Sequence, residues 1–555
     1  MPLDLSVALL ADPHYHDISR GRPLASVRSL GDALSASRVV NESYFSLPAA
    51  LDDVVRRGIK VAVIAGDLTE DGQRGDIEAL MALLSRYRAA HGLMFFATFG
   101  NHDTYGLSGR YQIKSFLNDD GQTTLSTSDA AHCGGAMYDA AMHTDGYAET
   151  LGKMCDLGFF SQPHFHHWET PFGSSDALSQ RTYPARSSDG KNVIDLIDAS
   201  YLVEPAEGLW LLSLDSNVYL PNDGPIDPKS ETAFLDSKDG KWDDVVTHRP
   251  YLVEWIRDVR QRADRLGKTL VAFSHYAIAA PEWERAWEGQ FSGGSILTKV
   301  GASAATIQTM EASGLGVHFS GHSHVATVTE IANDAGTLVD IAIPALCSFP
   351  PGYRLVHVRD GLLATEIISV RKTAPLSPLI DLYRRQAERD PAIALGLHDI
   401  LESSDFGRFI DSHLAAAVKN ELAKKHFGAA LAGFAGQGTL QQTLADLADG
   451  AIPPKMENTG GDIALIDVIV DWYRLWRGGD VALGSISAER IENYRQVAAL
   501  TETLPEPTDP TLRDVLHLIR KLGSLVRSPL KTAFSSGRNV LVSPEIPSPP
   551  SAVIP

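Results

Sequence analysis

The sequence predicts an α/β fold, in which helices flank a β-sheet and a second sheet packs on the first. Three short apolar runs near the N-terminus alternate with segments of helical periodicity, and each run ends in Asp, His or Asn. Strands that alternate with helices form a largely parallel sheet, and their polar ends meet at one edge of it. A later series of hairpin-like strands indicates the second sheet, largely antiparallel, and a helical region follows it.

Each of the first three predicted strands ends in polar residues. We predict strands at 5–11, 61–65 and 94–99 because these runs are short, apolar and bounded by Gly or Pro. They end in Asp12-Pro13-His14, in Gly66-Asp67 with Gly72 nearby, and in Gly100-Asn101-His102-Asp103. Helical spacing of apolar residues predicts helices at 48–57 and 77–88 between them. One edge of the sheet therefore gathers several oxygen and nitrogen donors.

A long polar and aromatic region from about 105 to 208 interrupts the alternation. It contains His164, His166 and His167, which are candidates for further ligands or for solvated surface side chains. Loops of this length in a compact domain are usually lids or inserts with a function. The sequence leaves open whether this insert covers the site, narrows it to particular substrates or decorates the edge of the domain.

Regular elements return after the insert. Helical spacing predicts helices at 250–266 and 304–312. The predicted strands lie at 209–214, at 268–273 ending in Ser274-His275, at 317–320 ending in Gly321-His322-Ser323-His324, and then at 327–331, 338–343, 354–358 and 362–370.

Composition divides the chain into three parts. Residues 1–372 form the α/β domain, with the insert at about 105–208, and a Pro-containing linker follows. Residues 379–543 form a helical C-terminal domain, and residues 544–555 form a Pro-rich tail. Amphipathic periodicity predicts helices in the C-terminal domain at 409–427, 462–476, 488–500 and 512–526. These helices could pack on the first domain, close over one side of its cleft or form a homo-oligomer, and the sequence does not rank these roles.

The composition is that of a soluble globular protein with an acidic surface. The 555 residues are 44% hydrophobic, and the formal net charge is −20. This charge disfavours an extended nucleic acid or an anionic membrane as the partner. Bound divalent cations reverse the sign locally, so small phosphorylated substrates remain open.

The cysteines and the N-terminus predict a cytoplasmic protein. Cys133, Cys155 and Cys347 are widely spaced and form no C-x-x-C pair, which is typical of buried free thiols in a reducing compartment. The first apolar run is too short for a signal peptide and lacks a basic segment before it. We find no apolar stretch long enough to span a membrane.

The donors at the predicted strand ends indicate a metal site. They are Asp12, His14, Asp67, Asn101, His275, His322 and His324. Carboxylate and amide oxygens mixed with imidazoles suit Mn²⁺, Fe or Zn²⁺ and argue against Ca²⁺, which prefers oxygen throughout. Two divalent ions held close together need one carboxylate to bridge them, and such pairs catalyse in-line displacement at phosphorus.

These motifs, in this order, resemble those of the calcineurin-like metallophosphoesterase superfamily. The resemblance covers the chain to about residue 370 and rests on five segments, which are Asp12-Pro13-His14, Gly66-Asp67 with Gly72, Gly100-Asn101-His102-Asp103, Ser274-His275 and Gly321-His322-Ser323-His324. It implies two facing β-sheets flanked by helices, an αββα metallophosphoesterase sandwich, with residues 1–372 as the catalytic domain.

The resemblance also implies a role for each site residue. Asp12, His14 and His324 would hold the first metal ion, Asn101, His275 and His322 the second, and Asp67 would bridge them. His102 would face the substrate and protonate the leaving oxygen, and Asp103 would orient His102. The chain lacks the Tyr that purple acid phosphatases place a few residues after the bridging Asp, which favours Mn²⁺ over a tyrosinate-ferric centre, with Fe or Zn²⁺ as alternatives.

The function implied by the resemblance is hydrolysis of a phosphoester by metal-bound hydroxide, which attacks phosphorus in line. We predict a phosphodiesterase that acts on a small molecule, either a nucleotide or a lipid-derived head group. A phosphomonoesterase with the same site is one alternative. A non-catalytic scaffold that binds a protein partner is the other, although such proteins usually lose metal ligands and all seven are present here.

Overall fold

The structure is a computed structural model. It describes residues 3–20, 26–131, 133–238, 240–280, 301–333, 336–359, 361–390, 397–403, 405–448, 463–530 and 532–536. Two large sheets share one apolar core, to which residues such as Val63 from one sheet and Phe273 from the other contribute. The predicted α/β fold with flanking helices and a C-terminal helical region is confirmed.

The first sheet has six strands and is mixed. In spatial order they are β18 (Phe534–Ser536), β17 (Leu362–Ser369), β16 (Gly352–Arg359), β1 (Asp4–Leu10), β2 (Val61–Ala65) and β3 (Met94–Thr98). Strands β1, β2 and β3 are parallel, whereas β16, β17 and β18 form an antiparallel half. Every residue of β2 is buried, as expected for a central parallel strand covered on both faces.

The second sheet has seven strands. In spatial order they are β14 (Val328–Asn333), β15 (Gly336–Ala342), β13 (Val317–Ser320), β12 (Thr269–Ser274), β11 (Leu209–Leu214), β10 (Tyr201–Ala206) and β7 (His167–Glu169). The four central strands, β15, β13, β12 and β11, are parallel, and antiparallel strands flank them.

Three sequence predictions about the sheets are wrong in detail. The second sheet is parallel at its centre rather than largely antiparallel, because β11, β12 and β13 belong to it. The late strands β16 and β17 join the first sheet instead. The insert, predicted to be irregular, contains β7, β10 and two small sheets, formed by β4 (Ile113–Leu117), β5 (Thr123–Thr127) and β6 (Met137–Tyr138), and by β8 (Thr182–Arg186) and β9 (Val193–Ile197).

The helices before residue 320 flank the two sheets, except the first, which packs in the core of the C-terminal helices. They are α1 (Leu30–Leu34), α2 (Ser43–Arg56), α3 (Arg74–His91), α4 (Tyr147–Lys153), α5 (Lys241–His248), α6 (Pro250–Leu266) and α7 (Ala304–Ala312). Helix α6 matches its prediction, with Pro250 in its first turn and Gly267 as a left-handed C-cap. Helix α2 begins at Ser43 rather than at Pro48, which lies inside the helix.

The C-terminal region is helical, as predicted. Its helices are α8 (Ser377–Arg389), α9 (His398–Leu401), α10 (Phe406–Ala417), which continues through a π-helical turn (Val418–Leu422) into α11 (Ala423–Phe427), α12 (Ala429–Ala435), α13 (Leu440–Leu447), α14 (Leu465–Gly478), α15 (Ala488–Thr501) and α16 (Pro510–Arg527). Their apolar core also takes in residues of α1 and the segment 345–349, which follows β15. The helical region therefore packs against the loop after β15.

Two predictions about the C-terminal region lie outside the described residues. These are the Pro-rich tail, 544–555, and residue 462, the first residue of the helix predicted at 462–476. Among the residues that the structure describes, no helix combines the length and the apolar character needed to cross a membrane.

Candidate metal centre

The carboxyl ends of five strands meet at one edge and bring the predicted donors together. Asp12 and His14 follow β1, Asp67 follows β2, Asn101 follows β3, His275 follows β12, and His322 and His324 follow β13. Backbone hydrogen bonds tie two of these loops to each other, since Asp12 N donates to Gly66 O over 3.2 Å and His14 N donates to Asp67 O over 3.0 Å. The site thus spans both large sheets.

The backbone at the predicted ligands is strained. Six described non-glycine residues have positive φ, and five of them are predicted ligands: Asp12 at 46°, His14 at 42°, Asp67 at 45°, His322 at 62° and His324 at 52°. Each such conformation costs about 1–3 kcal/mol and persists only where the surrounding structure enforces it. Strain concentrated at the donors indicates that the loops are shaped for binding rather than for their own stability.

Two motif glycines make room for the donors. A Cβ atom added to Gly66 would lie 2.3 Å from Nδ1 of His275, and one added to Gly100 would lie 2.1 Å from Oδ1 of Asp67. No side chain fits at either distance, so both positions require glycine. These contacts give the physical reason for the glycines in the sequence motifs.

One group of donors gathers around His14. Its Nε2 lies 3.4 Å from Oδ2 of Asp67, and Nε2 of His324 lies 3.5 Å from Oδ1 of Asp12. The His14 ring is buried, and neither of its nitrogens makes a hydrogen bond, although Nδ1 lies 3.2 Å from Oε2 of Glu70. A buried imidazole without hydrogen-bond partners is costly unless a ligand completes it.

A second group surrounds His275. Its Nε2 lies 3.3 Å from Oδ2 of Asp67 and 3.2 Å from Oδ1 of Asn101. Donor atoms of Asp67, His275 and His322 all lie within 4.8 Å of one another. The same Asp67 oxygen therefore contacts both His14 and His275, which places this carboxylate between the two groups.

Burial leaves several of the imidazoles neutral. It lowers the pKa of His14 to about 4, the pKa of His322 well below its usual value, and the pKa of His324 in the same direction. Burial also lowers the pKa of His275, but the Asp67 and Asp12 carboxylates outweigh it and raise the value to about 9. A metal cation bound by the same carboxylates competes with that proton, because metal ligands must be deprotonated. The donor set therefore fits two divalent cations.

His102 lies beside His14 and Asp67, and one ligand atom of each of these three residues lies within 4.8 Å of the other two. The segment after Asp67 holds the His102 imidazole. Its Nδ1–H donates to the Glu70 carbonyl oxygen over 2.6 Å and lies 3.8 Å from Oδ1 of Asp71. Its side chain is 21% exposed, compared with 1% for His14. Burial lowers the pKa of His102, but nearby carboxylates, chiefly Asp67, outweigh it and the net shift is upward. His102 is therefore partly open to solvent, and its surroundings favour its protonated form.

The contacts of Asp103 differ from the sequence prediction that it orients His102. Its two oxygens accept hydrogen bonds from Gly100 N over 2.8 Å and from Thr69 N over 3.1 Å. Burial, together with the negative charge of Asp67, raises the pKa of Asp103 to about 7. Asp103 joins two motif loops to each other, whereas the 70–71 segment orients the imidazole.

Sequence reasoning missed the ion pair behind His14. Arg38 donates to both Glu70 oxygens, with distances of 3.0 Å from Nε to Oε2 and 2.8 Å from Nη2 to Oε1. The pair holds Glu70 against His14, and the charge of Arg38 is one reason for the depressed pKa of His14. Glu70 lies between Asp67 and Gly72 of the second motif and could have been found there, whereas Arg38 lies in a segment that carries no motif.

The insert histidines lie apart from the metal groups. His167 Nε2 is 2.9 Å from Oε2 of Glu169, and the ring of His167 stacks on Trp210 at the outer end of the second sheet. The metal-binding groups found among the described residues include neither His164, His166 nor His167. Their functional interpretation receives no support from this placement.

Comparison with known protein families identifies the family of this chain. A sequence model of a family described as calcineurin-like phosphoesterase matches residues 5–326, which is more than half of the chain and includes all seven predicted ligands. No curated protein matches the sequence.

Proposed function

The chain belongs to the calcineurin-like phosphoesterase family, and from this premise we propose that it is a dinuclear metal-dependent phosphoester hydrolase. The observation that carries the proposal is the position of Asp67, whose Oδ2 lies 3.4 Å from His14 and 3.3 Å from His275. Two ions held close together require one carboxylate that both can share. The buried Asp67 carboxylate lies between the two groups of donors and meets this requirement.

The two groups of donors divide the ligands between two ions. Asp12, His14 and His324 hold the first, and Asn101, His275 and His322 hold the second, with Asp67 shared. When bound, the ions supply a nucleophile from water at neutral pH and neutralise charge on the ester oxygens. Mn²⁺, Fe and Zn²⁺ all suit mixed oxygen and imidazole donors, with Mn²⁺ favoured by the sequence.

His102 is the proposed general acid. Its Nδ1–H is committed to the Glu70 carbonyl, which leaves Nε2 to exchange a proton with the substrate. Carboxylates around the ring favour its cationic form, so it can protonate the leaving oxygen as the ester bond breaks. Asp71, at 3.8 Å, supports that form.

We propose a phosphodiester of a small molecule, either nucleotide or lipid-derived, as the substrate. The net charge of −20 opposes binding of a long nucleic acid, whereas two bound cations attract a single phosphate group. A phosphomonoester is the second candidate, since the same ions serve both reactions. A non-catalytic scaffold is disfavoured by the seven donors, all of which reach the site.

A metal and substrate panel tests the proposal. The purified chain is loaded with Mn²⁺, Fe²⁺ or Zn²⁺, and hydrolysis of bis(p-nitrophenyl) phosphate and p-nitrophenyl phosphate is measured alongside metal content. We expect two ions per chain and turnover of the diester, with the monoester cleaved more slowly. A chain that binds two ions and cleaves neither ester would support the scaffold, and one that binds none would remove the metal centre altogether.

A further inference from the structure

Cys347 lies beside the first group of donors. Its Sγ and one ring nitrogen each of His14 and His324 all lie within 4.8 Å of one another, and Cys347 is fully buried. Donors arranged tetrahedrally or trigonally around one ion, with bonds of about 2.0–2.3 Å, lie about 3.3–4.0 Å apart. A movement of these side chains toward one another by about 1 Å would therefore let one ion contact all three.

The backbone fixes Cys347 to the strand end that carries the ligands. Its carbonyl accepts a hydrogen bond from Val39 N over 2.8 Å, and the preceding Leu346 N donates to Ala11 O over 3.3 Å. Ala11 also forms a parallel bridge with Ala345. Because Asp12 and His14 directly follow Ala11, the thiol and these ligands are held by the same short stretch of structure.

His14 gives an independent indication of a ligand at this point. Its ring is 1% exposed, and neither nitrogen has a hydrogen-bond partner. The other two thiols, Cys133 and Cys155, are partly exposed, and neither occurs in a metal-binding group found among the described residues. Cys347 is thus distinguished from them by its neighbours.

A cysteine binds a metal ion as the thiolate. A metal ion lowers the pKa of an adjacent thiol and binds the thiolate, while the proton passes to solvent. Thiolate ligands favour Zn²⁺ and Fe over Mn²⁺, since they are softer donors than carboxylate.

We propose that Cys347 Sγ is a ligand of the ion held by Asp12, His14 and His324, and that it selects Zn²⁺ or Fe at this position. The inference rests on the proposed metal centre and refines it. The first position becomes thiolate-containing, while the second keeps only oxygen and imidazole donors. The two ions of the centre would then differ in kind.

Cobalt substitution tests the ligand directly, without an activity assay. Co²⁺ bound by histidine and carboxylate gives visible ligand-field bands, and a thiolate adds a sulfur-to-cobalt charge-transfer band in the near ultraviolet. We expect that band in the unaltered chain, its loss in Cys347→Ser and its retention in the matched control Cys155→Ser. The visible bands should remain in all three.

A second variant keeps the proposal testable if Cys347→Ser does not fold. The chain has three cysteines, so Cys133→Ser combined with Cys155→Ser leaves Cys347 as the sole thiol. Visible bands without a charge-transfer band in this double variant would overturn the thiolate ligand and leave the proposed function intact. Absence of any cobalt spectrum would instead overturn the metal centre itself. We also expect Cys347→Ser to lose more affinity for Zn²⁺ than for Mn²⁺, measured by competition with a chelating dye.

Discussion

The metal centre and the core of the C-terminal helices are both buried, but different interactions hold them. At the metal centre, ligands occupy left-handed backbone conformations, and His14 has no hydrogen-bond partner for its ring. In the helical core, Trp472 packs in an aromatic cluster with Phe427, Tyr473 and Trp476 on regular helices. One region holds its buried polar groups in strained loops, and the other packs aromatic rings on regular helices.

Of these two regions, we expect only the first to depend on a ligand for its stability. Burying polar groups without partners costs free energy, so the metal centre gains stability only when a cation satisfies its donors. The helical core is stabilised by apolar burial at about 25 cal/mol per Å². Substitutions at the metal centre should therefore affect binding and turnover, whereas substitutions in the helical core should affect unfolding.

Asp67→Asn should impair the protein more than any of the following substitutions. Loss of the shared carboxylate removes a charge from both groups, and several kcal/mol of lost metal catalysis corresponds to about 10³–10⁵-fold slower turnover. Elemental analysis should show fewer than two ions per chain. If Asp67→Asn kept both ions and its activity, the bridging role would be wrong.

His102→Ala should separate catalysis from metal binding within the same centre. We expect both ions to remain and turnover to fall about 10²–10⁴-fold for a diester with a poor leaving group. The loss should be smaller for a p-nitrophenyl ester, which needs no protonation to leave. Equal losses for both leaving groups would contradict the role as general acid.

Trp472→Ala tests the expectation for the core of the C-terminal helices. Removal of a fully buried indole should lower the free energy of unfolding by about 3–5 kcal/mol, measured by urea denaturation. Trp472→Phe, as the matched control, should cost less. Metal content at low temperature should not change, and a loss of metal would show that the two regions are coupled.

Acidification should destabilise the helical core through His413. Burial lowers the pKa of His413 to about 4, and its Nε2 lies 3.2 Å from Ala33 O. The unfolded chain takes up this proton near pH 6.5 and the folded chain only near pH 4, so the stabilisation present above pH 6.5 is lost as the pH falls. The loss should reach about 2 kcal/mol by pH 5. Urea midpoints at pH 7 and pH 5 should therefore differ less in His413→Gln than in the unaltered chain.

The smallest effect concerns the orientation of His102. Asp71→Asn should slow turnover about 10-fold with metal content unchanged, because supporting contacts of this kind are worth about 10- to 100-fold. The acidic limb of the pH profile should also move. Asp156→Asn, which alters a surface pair with Arg88, is the matched control and should have no effect. An unchanged pH profile in Asp71→Asn would leave the Glu70 carbonyl as the sole orienting group.

The sequence predicted the strand ends well because the donors follow short apolar runs whose boundaries are clear. Strands at 61–65, 209–214 and 317–320 agree with the structure residue by residue. It could not assign the late strands to sheets, since pairing between β1 and β16 joins residues about 350 positions apart. The insert was missed because its short strands lie among polar residues.

The sequence identified the donor residues of the candidate site but not all of the contacts between them. The motifs identified the donors that surround Asp67. They did not identify the side chains that hold these donors in place. The resemblance to the family assigned Asp103 to His102, yet the Asp103 oxygens accept hydrogen bonds from Gly100 N and Thr69 N instead. Arg38 and Cys347 reach the centre only through tertiary packing, which no local pattern reveals.

One edge of the first sheet depends on strand β18, which lies far along the chain from the strands that precede the predicted ligands. Residues 534–536 pair with β17 and cover what would otherwise be the outer strand of the first sheet. An open strand edge pairs readily with other chains. During synthesis the sheet that carries Asp12, Asp67 and Asn101 therefore keeps an unprotected edge until the helical region has emerged. A chain shortened before residue 534 should be more prone to aggregate, even though every metal ligand is retained.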